Sequence, residues 1–247
     1  MKIFDAHFHI IDPRFPLIEN QGYLPPEFKT EDYKSKWDNH ELIGGAIVSG
    51  SFQGFDQRYL IDSLQDFGDS FFGVANIHPE IRDSEIEKLH KAGVRAVRFN
   101  LKRGGSAGIK DVNYLSHKLF AEYVWHSEFY IENKDLNGLN SLLREIPAFS
   151  IDHLGLTRDG IKDLYALVER GVKVKATGFG RVDFDPIEIM KTIQKINPEA
   201  LLFGSDLPST RAPKLFSFGD MDLIKDNFDE DDRRLIFSEN ALKWYKK

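Results

Sequence analysis

Residues 4–9 read FDAHFH and lie inside an apolar run that extends from Ile3 to Ile10. The run is short and rich in isoleucine and phenylalanine, which predicts a β-strand at Ile3–Ile10. Alternate side chains of a strand point to the same face, so we expect His7 and His9 to lie side by side, about 6.5–7 Å apart at the backbone. Two such imidazoles can share one ion or one substrate oxygen. A pair of ordinary histidines near a strand end is the alternative.

Seven further strand-like runs follow, and helix-like segments separate them. The runs are short and largely apolar, as parallel strands covered by helices are. They are predicted at Ile43–Ser49, Phe71–Ile77, Val94–Asn100, Glu128–Glu132, Phe149–His153, Val172–Thr177 and Leu201–Gly204. The period of apolar residues predicts helices at Asp83–Ala92, Asp135–Glu145, Asp159–Arg170 and Glu230–Tyr245. This alternation predicts one (β/α)8 TIM barrel, an α/β fold, with residues 1–247 as a single domain.

Composition excludes several classes of function. The chain has 247 residues and a net charge of −6, without a basic block, so nucleic acid is not an expected partner. No stretch approaches the roughly 20 apolar residues of a membrane span, and the polar first strand is no signal peptide, so we expect a cytoplasmic protein. Cysteine is absent, which excludes thiolate ligands and a cysteine nucleophile. Any metal site must therefore use histidine and carboxylate.

Polar side chains stand where the predicted strands end. Active sites of this architecture lie at the C-terminal ends of the strands and on the loops that follow. The expected rim comprises His7, His9, Asn76, His78, Arg98, Asn100, Glu132, Asp152, His153, Lys175, Thr177, Ser205 and Asp206. Titratable groups at so many of these ends indicate an enzyme.

Four motifs in chain order resemble those of a known superfamily. They are HxH at 7–9, GVRAVRFN at 93–100, SIDHLG at 150–155 and FGSDLP at 203–208. Together they are similar to motifs of the amidohydrolase superfamily, and more narrowly of its amidohydrolase-2 branch. That branch includes lactonases that act on 2-pyrone dicarboxylate and on sugar-acid lactones, and decarboxylases of the amino-carboxymuconate type. The resemblance covers nearly the whole chain and implies a TIM barrel of the metal-dependent-hydrolase type.

The resemblance also implies catalytic roles. His7, His9 and Asp206 stand where the superfamily holds a divalent metal, or where these residues take over its place in metal-free members. Glu132 replaces a strand-five histidine of metal-binding members, and its carboxylate can still be a ligand. Zinc or manganese is the expected ion, and metal-free activity is the alternative. His153 would polarise the reacting carbonyl, and Asp206 would accept a proton from water.

Two of these residues have structural alternatives. Asp206 could instead cap the start of a helix, because Pro208 follows it and a turn is plausible there. His153 could instead be a core histidine that is bonded to a backbone carbonyl. Both alternatives make these residues part of the scaffold.

Cationic side chains are expected to select the substrate. Arg98 and Arg103 resemble the arginines that hold substrate carboxylates in the pyrone-lactone members, and a guanidinium pairs with a carboxylate through two hydrogen bonds. Arg103 could equally be a solvated loop charge. Arg181 and Arg211, in the loops after strands seven and eight, rank below Arg98. Lys175, inside strand seven, is expected to pair with an acidic neighbour if it is buried.

The long segment after strand one, residues 10–28, has four prolines and no clear period. Long ordered loops on this face of a barrel are usually functional, so we expect a lid that brings Tyr23 to the substrate. An irregular loop packed by its own side chains is the alternative. His78 is also expected to face the mouth and to contact substrate.

These observations predict a hydrolase that opens a lactone, or a related ester or amide, of a small carboxylated substrate. Activated water at the barrel mouth would be the nucleophile. A metal-dependent decarboxylase is the second hypothesis, and the missing strand-five histidine counts against it. A catalytically silent binding barrel is the third, although four buried polar groups without a function would be costly. No nucleic acid or membrane partner is expected, and a homo-oligomer is compatible with the sequence.

Overall fold

The computed structural model describes residues 1–246, and in it eight parallel strands form one sheet in chain order. The strands are β1 (Lys2–Phe8), β2 (Glu41–Val48), β3 (Phe71–Ala75), β4 (Val94–Asn100), β5 (His126–Tyr130), β6 (Phe149–Ile151), β7 (Lys173–Ala176) and β8 (Leu201–Phe203). The sheet curls into a nearly closed barrel, because β1 and β8 meet at their carboxyl ends. The Asp206 amide donates to the His7 carbonyl (2.7 Å), and the His9 amide donates to the Leu207 carbonyl (2.8 Å). The predicted (β/α)8 barrel is confirmed.

Helices lie between the strands on the outside of the barrel. They are α1 (Thr30–Lys36), α2 (Arg58–Phe67), α3 (Asp83–Lys91), α4 (Ile109–Tyr123), α5 (Asn133–Leu136), α6 (Asn140–Glu145), α7 (Ile161–Glu169), α8 (Pro186–Ile196), α9 (Phe218–Asn227), α10 (Glu230–Arg234) and α11 (Asn240–Tyr245). The helix predicted at Asp135–Glu145 is divided by a 3-10 turn at Asn137–Leu139. The one predicted at Glu230–Tyr245 contains a π turn at Leu235–Glu239. Within residues 1–246, no helix is long and apolar enough to cross a membrane.

The amino end of the barrel is filled by aromatic side chains. Tyr245, from α11, stacks on Phe4 and Phe72, with ring centroids 5.6 and 5.8 Å apart. These rings belong to a buried cluster that includes Trp244 and small residues such as Ala6. These aromatic side chains close the amino end of the barrel, so a functional site can lie only at the opposite, carboxyl end.

Strand five differs from the prediction by two residues. The prediction was Glu128–Glu132, whereas β5 runs from His126 to Tyr130 and pairs with β4 from Ala96 to Asn100. The ladder ends at Tyr130, and Glu132 is the residue that precedes α5. Glu128 therefore lies in the middle of the strand, fully buried, and not at its start.

Candidate active site

Four of the predicted residues meet at the carboxyl end of the barrel. One oxygen of Asp206, Oδ1, lies 3.9 Å from Nε2 of His7, 3.6 Å from Nε2 of His9 and 4.0 Å from Nε2 of His153. All four side chains are buried. The ends of β1, β6 and β8, distant in sequence, thus contribute to one cluster.

The backbone at His153 and Asp206 is left-handed, with φ of 52° and 61°. Such conformations cost residues other than glycine roughly 1–2 kcal/mol and are concentrated at functional sites. Asp206 does not cap a helix, since the next one begins at Phe218. Nδ1 of His153 has no hydrogen-bond partner among residues 1–246. Asp206 is therefore not a helix cap, and His153 is not a core histidine bonded through Nδ1 to a backbone carbonyl.

The imidazoles of His7 and His153 are neutral in this environment. Burial lowers the pKa of His7 well below its ordinary value, and the nearby charge of Lys175 lowers it further. Burial likewise lowers the pKa of His153 to about 3, despite the opposing effect of Asp206. Nδ1 of His9 lies 2.7 Å from the carbonyl of Val48, so this nitrogen carries a proton, and in a neutral ring the lone pair is then on Nε2. The cluster therefore offers His7 and His153 as hydrogen-bonding imidazoles without positive charge.

Asp206 remains a carboxylate because Arg181 faces it. Nε of Arg181 donates to Asp206 Oδ2 at 2.6 Å, and Nη2 donates to the carbonyl of Thr210 at 2.7 Å. Burial by itself raises the pKa of Asp206, but the charge of Arg181 and the contacts with His153, His9 and His7 together outweigh burial and hold the pKa well below its usual range. The other oxygen, Oδ1, has no hydrogen-bond partner in the described chain and faces the imidazoles.

A second carboxylate, Asp5, joins β1 to the end of β8. Its Oδ1 accepts from the Ser205 amide (2.8 Å), and its Oδ2 accepts from the Ser205 hydroxyl (2.6 Å) and from the Tyr33 hydroxyl (3.0 Å). Burial raises the pKa of Asp5 to about 6, although these hydrogen bonds oppose the rise. Sequence reasoning assigned Asp5 no role, although it stands two residues before His7.

Below the cluster lies a buried ion pair between β7 and β5. Nζ of Lys175 is 2.5 Å from Oε2 of Glu128, and Tyr245 donates to Oε1 of Glu128 at 2.5 Å. The expectation that Lys175 pairs with an acidic neighbour is confirmed. Burial raises the pKa of Glu128, but the charges of Lys175 and His126 outweigh it and lower the pKa to about 2. The role of Glu128 was missed because the prediction placed it at the start of the strand.

Above the cluster, a small cleft opens to the surface. Its lining is rich in cations and aromatic rings and comprises His9, Tyr23, Arg98, Arg103, Tyr130, His153, Arg181, Asp206 and Arg211, among others. Of the segment of residues 10–28, Tyr23 lines the cleft, and an isolated bridge between Ile11 and Phe28 joins the two ends of the segment. The guanidinium of Arg211 lies 4.5 Å from the ring centroid of Tyr23. This geometry supports the expected lid.

Arg98 connects the cleft to the buried layer. It is 4% exposed, and it donates to Oδ2 of Asp152 (3.1 Å) and to the carbonyl of Ser49 (2.7 Å). Its Nε has no partner among the described residues. A buried guanidinium with a free donor beside a cleft is suited to bind an anionic substrate group.

The structure does not bring Glu132 to the cluster, which corrects its prediction as a metal ligand. Its carboxylate pairs with Nζ of Lys102 (2.5 Å) and with Nζ of Lys134 (3.1 Å). The misplaced end of strand five explains the error, because Ile131 and Glu132 have already left the barrel wall.

Replacement of Glu132 by glutamine should therefore leave catalysis unchanged. We expect kcat/KM and bound metal within about twofold of wild type, since surface pairs contribute only about 0–1 kcal/mol. Steady-state kinetics and elemental analysis of the purified variant measure both. A large loss of kcat/KM or of bound metal would show that Glu132 takes part in the site.

His78 is also absent from the cleft, contrary to the prediction. It is exposed, its Nδ1 accepts from the Glu80 amide at 3.1 Å, and its ring lies edge-on to Phe55. It lines a separate surface groove with residues of α2 and α3. Strand three ends at Ala75, so His78 lies beyond the rim in the following loop.

The positions of His7, His9 and Asp206 fit a divalent metal. Their ligand atoms lie within 4.8 Å of one another, and a second group with the same spacing comprises His7, Asp152 and His153. Nε2 of His7 and Oδ1 of Asp206 are buried and have no partner in the described chain, as expected of atoms that await a ligand. Two imidazoles and a carboxylate form a common donor set for catalytic zinc.

A parallel barrel with a histidine and carboxylate cluster at its carboxyl end, beneath a cationic cleft, defines a TIM-barrel hydrolase of the amidohydrolase type. The family model described as amidohydrolase, Amidohydro_2, matches residues 4–247. The chain belongs to this family, which confirms the resemblance of its motifs, and it is a hydrolase-family enzyme.

Two curated relatives carry names of lactone hydrolases. The chain is 28% identical over 225 residues to 4-sulfomuconolactone hydrolase of Rhizobium radiobacter, across 83% of this chain and 75% of the relative. It is 31% identical over 155 residues to 2-pyrone-4,6-dicarboxylate hydrolase of Comamonas testosteroni, across 61% of this chain and 51% of the relative. The second match thus spans about half of that relative.

Among solved structures, the fold is similar to a probable 2-pyrone-4,6-dicarboxylic acid hydrolase from Acinetobacter baumannii, crystallised with citric acid. The TM-score is 0.86 at 23% identity, and each chain is covered completely. An apo structure from Agrobacterium tumefaciens gives 0.85 at 19% identity, with 99% and 96% coverage. These likenesses establish the fold.

Proposed function

We propose that this enzyme hydrolyses the lactone ring of a small substrate that carries carboxylate groups. The names of both curated relatives support this reaction, since each acts on a ring of this kind. The observation that carries the proposal is the convergence of His7, His9, His153 and Asp206 beneath a cleft lined by arginines. The decarboxylase alternative is not favoured by the relatives.

The substrate would enter with its carboxylates toward the arginines. Arg98 offers a buried Nε–H, while Arg103 and Arg211 face the cleft from opposite loops. Charge-assisted bonds to these groups would hold the ring in one orientation. The lactone carbonyl would then lie over the imidazoles of the cluster.

Asp206 would accept the proton of the attacking water. Its Oδ1 is free in the described chain, while Arg181 holds Oδ2 and fixes the plane of the carboxylate. A donor on the histidine side, at His153 or His7, would stabilise the negative charge that develops on the carbonyl oxygen. Collapse of this species would break the ring C–O bond, and the ring oxygen would take the proton held on Asp206. The products are a hydroxyl group and a carboxylic acid that ionises to the carboxylate.

His7, His9 and Asp206 are the residues that would hold a divalent ion, and zinc or manganese is our proposal for it. When bound, such an ion lowers the pKa of water and polarises a carbonyl. Ligation requires the lone pair on Nε2 of both histidines. His9 meets this condition through its bond to Val48.

A panel of lactones with free carboxylates tests the proposal. We expect ring opening, seen as loss of the lactone absorbance and as a product heavier by one water in mass spectrometry. The panel should include pyrone, muconolactone and sugar-acid lactones, and neutral lactones should react far more slowly. Release of CO₂ in place of water addition would establish the decarboxylase, and inertness toward the whole panel would contradict the proposal.

Replacement of Arg103 by methionine should raise KM for a carboxylated lactone by about 10- to 100-fold, with less effect on kcat. The reason is that a hydrogen bond to a charged group contributes about 1.5–3 kcal/mol. Steady-state kinetics with one substrate measures the change. Lys102→Met is the matched control, because Lys102 is adjacent in sequence but pairs with Glu132 outside the cleft. Equal effects in both variants would mean a general electrostatic influence and no contact by Arg103.

A further inference from the structure

The ion pair between Lys175 and Glu128 has no part in the mechanism above, although it lies directly under the cluster. Both side chains are fully buried, which is unusual for charged groups without a function. Nζ of Lys175 reaches toward the cluster and lies 3.4 Å from Nδ1 of His7. The pair is therefore placed to influence the imidazole that faces the reacting atoms.

Counting donors and acceptors indicates what Lys175 does. An ammonium has three N–H donors and no acceptor, and buried donors need partners. Two atoms lie within hydrogen-bond distance of Nζ, Oε2 of Glu128 at 2.5 Å and Nδ1 of His7 at 3.4 Å, whereas Oδ1 of Asp152 is farther away at 3.9 Å. The N–H group that faces His7 has an acceptor only if Nδ1 of His7 carries a lone pair. A proton on Nδ1 would make two donors face each other.

Asp152 is the competing partner of the same nitrogen. Its Oδ1 also lies 3.4 Å from Nδ1 of His7, and it would favour a proton there. The alignment disfavours this bond, since Oδ1 of Asp152 has no hydrogen-bond partner in the described chain. The contact from Lys175 to Nδ1, in contrast, has hydrogen-bond geometry. Arg98 meanwhile holds the other oxygen of Asp152.

We propose that Lys175 is a positioning residue that fixes the tautomer of His7, with the proton on Nε2. His7 then donates from Nε2 into the cluster, where this atom has no other partner among residues 1–246. Resting on the proposed lactone hydrolysis, this donor serves the carbonyl oxygen of the substrate. A divalent ion requires the opposite tautomer of His7, so Lys175 also weakens metal binding at this site.

The experiment reads the tautomer directly by long-range 1H–15N NMR of the 15N-histidine-labelled full chain, without substrate. Protonated and unprotonated ring nitrogens have well-separated shifts, and His7→Gln identifies the His7 signals by their loss. We expect Nε2 to be protonated in wild type. In the double variant Lys175→Met/Glu128→Gln, which removes the buried pair together, the proton should move to Nδ1, where Asp152 accepts it. Lys173→Met, a lysine change on the same strand away from His7, should leave the tautomer unchanged.

Zinc affinity gives a second readout, by calorimetry with zinc sulfate alone. We expect the double variant to bind zinc about 10-fold more tightly than wild type, since groups around a ligand change metal affinity about 10- to 100-fold. A wild-type His7 that is protonated on Nδ1, a tautomer that does not respond to the double variant, or an unchanged affinity would overturn the inference. The tautomer is measured without substrate, so a failed lactone screen would contradict the proposed function and not this inference.

Discussion

Replacement of Asp206 by asparagine is expected to lower kcat for lactone hydrolysis by about 10³-fold, within the range that a positioned general base supplies. Asparagine has nearly the same shape and can still accept from Arg181, but its amide cannot take a proton from water. Single-turnover and steady-state rates on the best lactone of the panel measure the loss.

Two controls separate this effect from damage to the barrel. Asp220→Asn makes the same change in another buried aspartate, at the start of α9, and should retain wild-type turnover. Circular dichroism and thermal unfolding of Asp206→Asn should show a folded protein, because the neighbouring backbone bond from the Asp206 amide to His7 is unaffected. Near wild-type activity of folded Asp206→Asn would show that Asp206 is not the general base.

The part of the site that sequence could predict is the part carried by local motifs. His7 and His9 are two apart on one strand, and the strand period places them on the same face. His153 and Asp206 follow short apolar runs directly, and the barrel architecture brings the ends of such runs to one rim. A local pattern and one topological rule were sufficient for these four residues.

The errors arose where tertiary pairing decides the result. The run FYIENK at 129–134 is apolar to Ile131, and nothing local shows that the ladder stops at Tyr130. Pairing with β4 sets that end, and the two-residue difference moved Glu132 into the predicted site and Glu128 out of it. Similarly, α6 begins only after a turn that the apolar period does not reveal.

Contacts between site residues that are distant in the chain could not be predicted from the sequence either. Arg181 was ranked below Arg98, yet it contacts Asp206 directly, because the turn at Phe179–Arg181 returns the chain over the cluster. Asp5 looked like an ordinary strand residue until β8 placed Ser205 against it. Such contacts depend on which loops meet in space, so no spacing in the sequence encodes them.

Replacement of Lys175 by methionine alone should destabilise the protein by about 3–5 kcal/mol at neutral pH. Removing one member of a buried ion pair leaves the other as an uncompensated charge, which is among the most destabilising single changes. Glu128 would keep only its bonds from Tyr245 and His126. Urea unfolding followed by circular dichroism measures the loss, and Lys173→Met should cost about 1 kcal/mol or less.

The pH dependence of this loss follows from the sign of the pKa shift. In wild type the pKa of Glu128 is about 2, below its ordinary 4.5, so its charged form stabilises the fold above pH 4.5 and this stability is lost as the pH falls toward 2. Without Lys175, burial raises the pKa of Glu128 above 4.5, and the penalty for the charged form grows as the pH rises. The difference between wild type and Lys175→Met should therefore narrow from about pH 8 to about pH 5.

The double variant Lys175→Met/Glu128→Gln distinguishes a lost charge balance from lost packing. If the uncompensated carboxylate causes the damage, the second substitution should recover most of the stability and leave the double variant within about 1–2 kcal/mol of wild type. The difference in stability between the double variant and wild type should also become nearly independent of pH between about 5 and 8, because the carboxyl that titrates differently in Lys175→Met is gone. A double variant as unstable as Lys175→Met alone would instead locate the defect in the space that the lysine stem fills. The charge of the ion pair would then contribute little to the stability of the contact between β5 and β7 beneath the cluster.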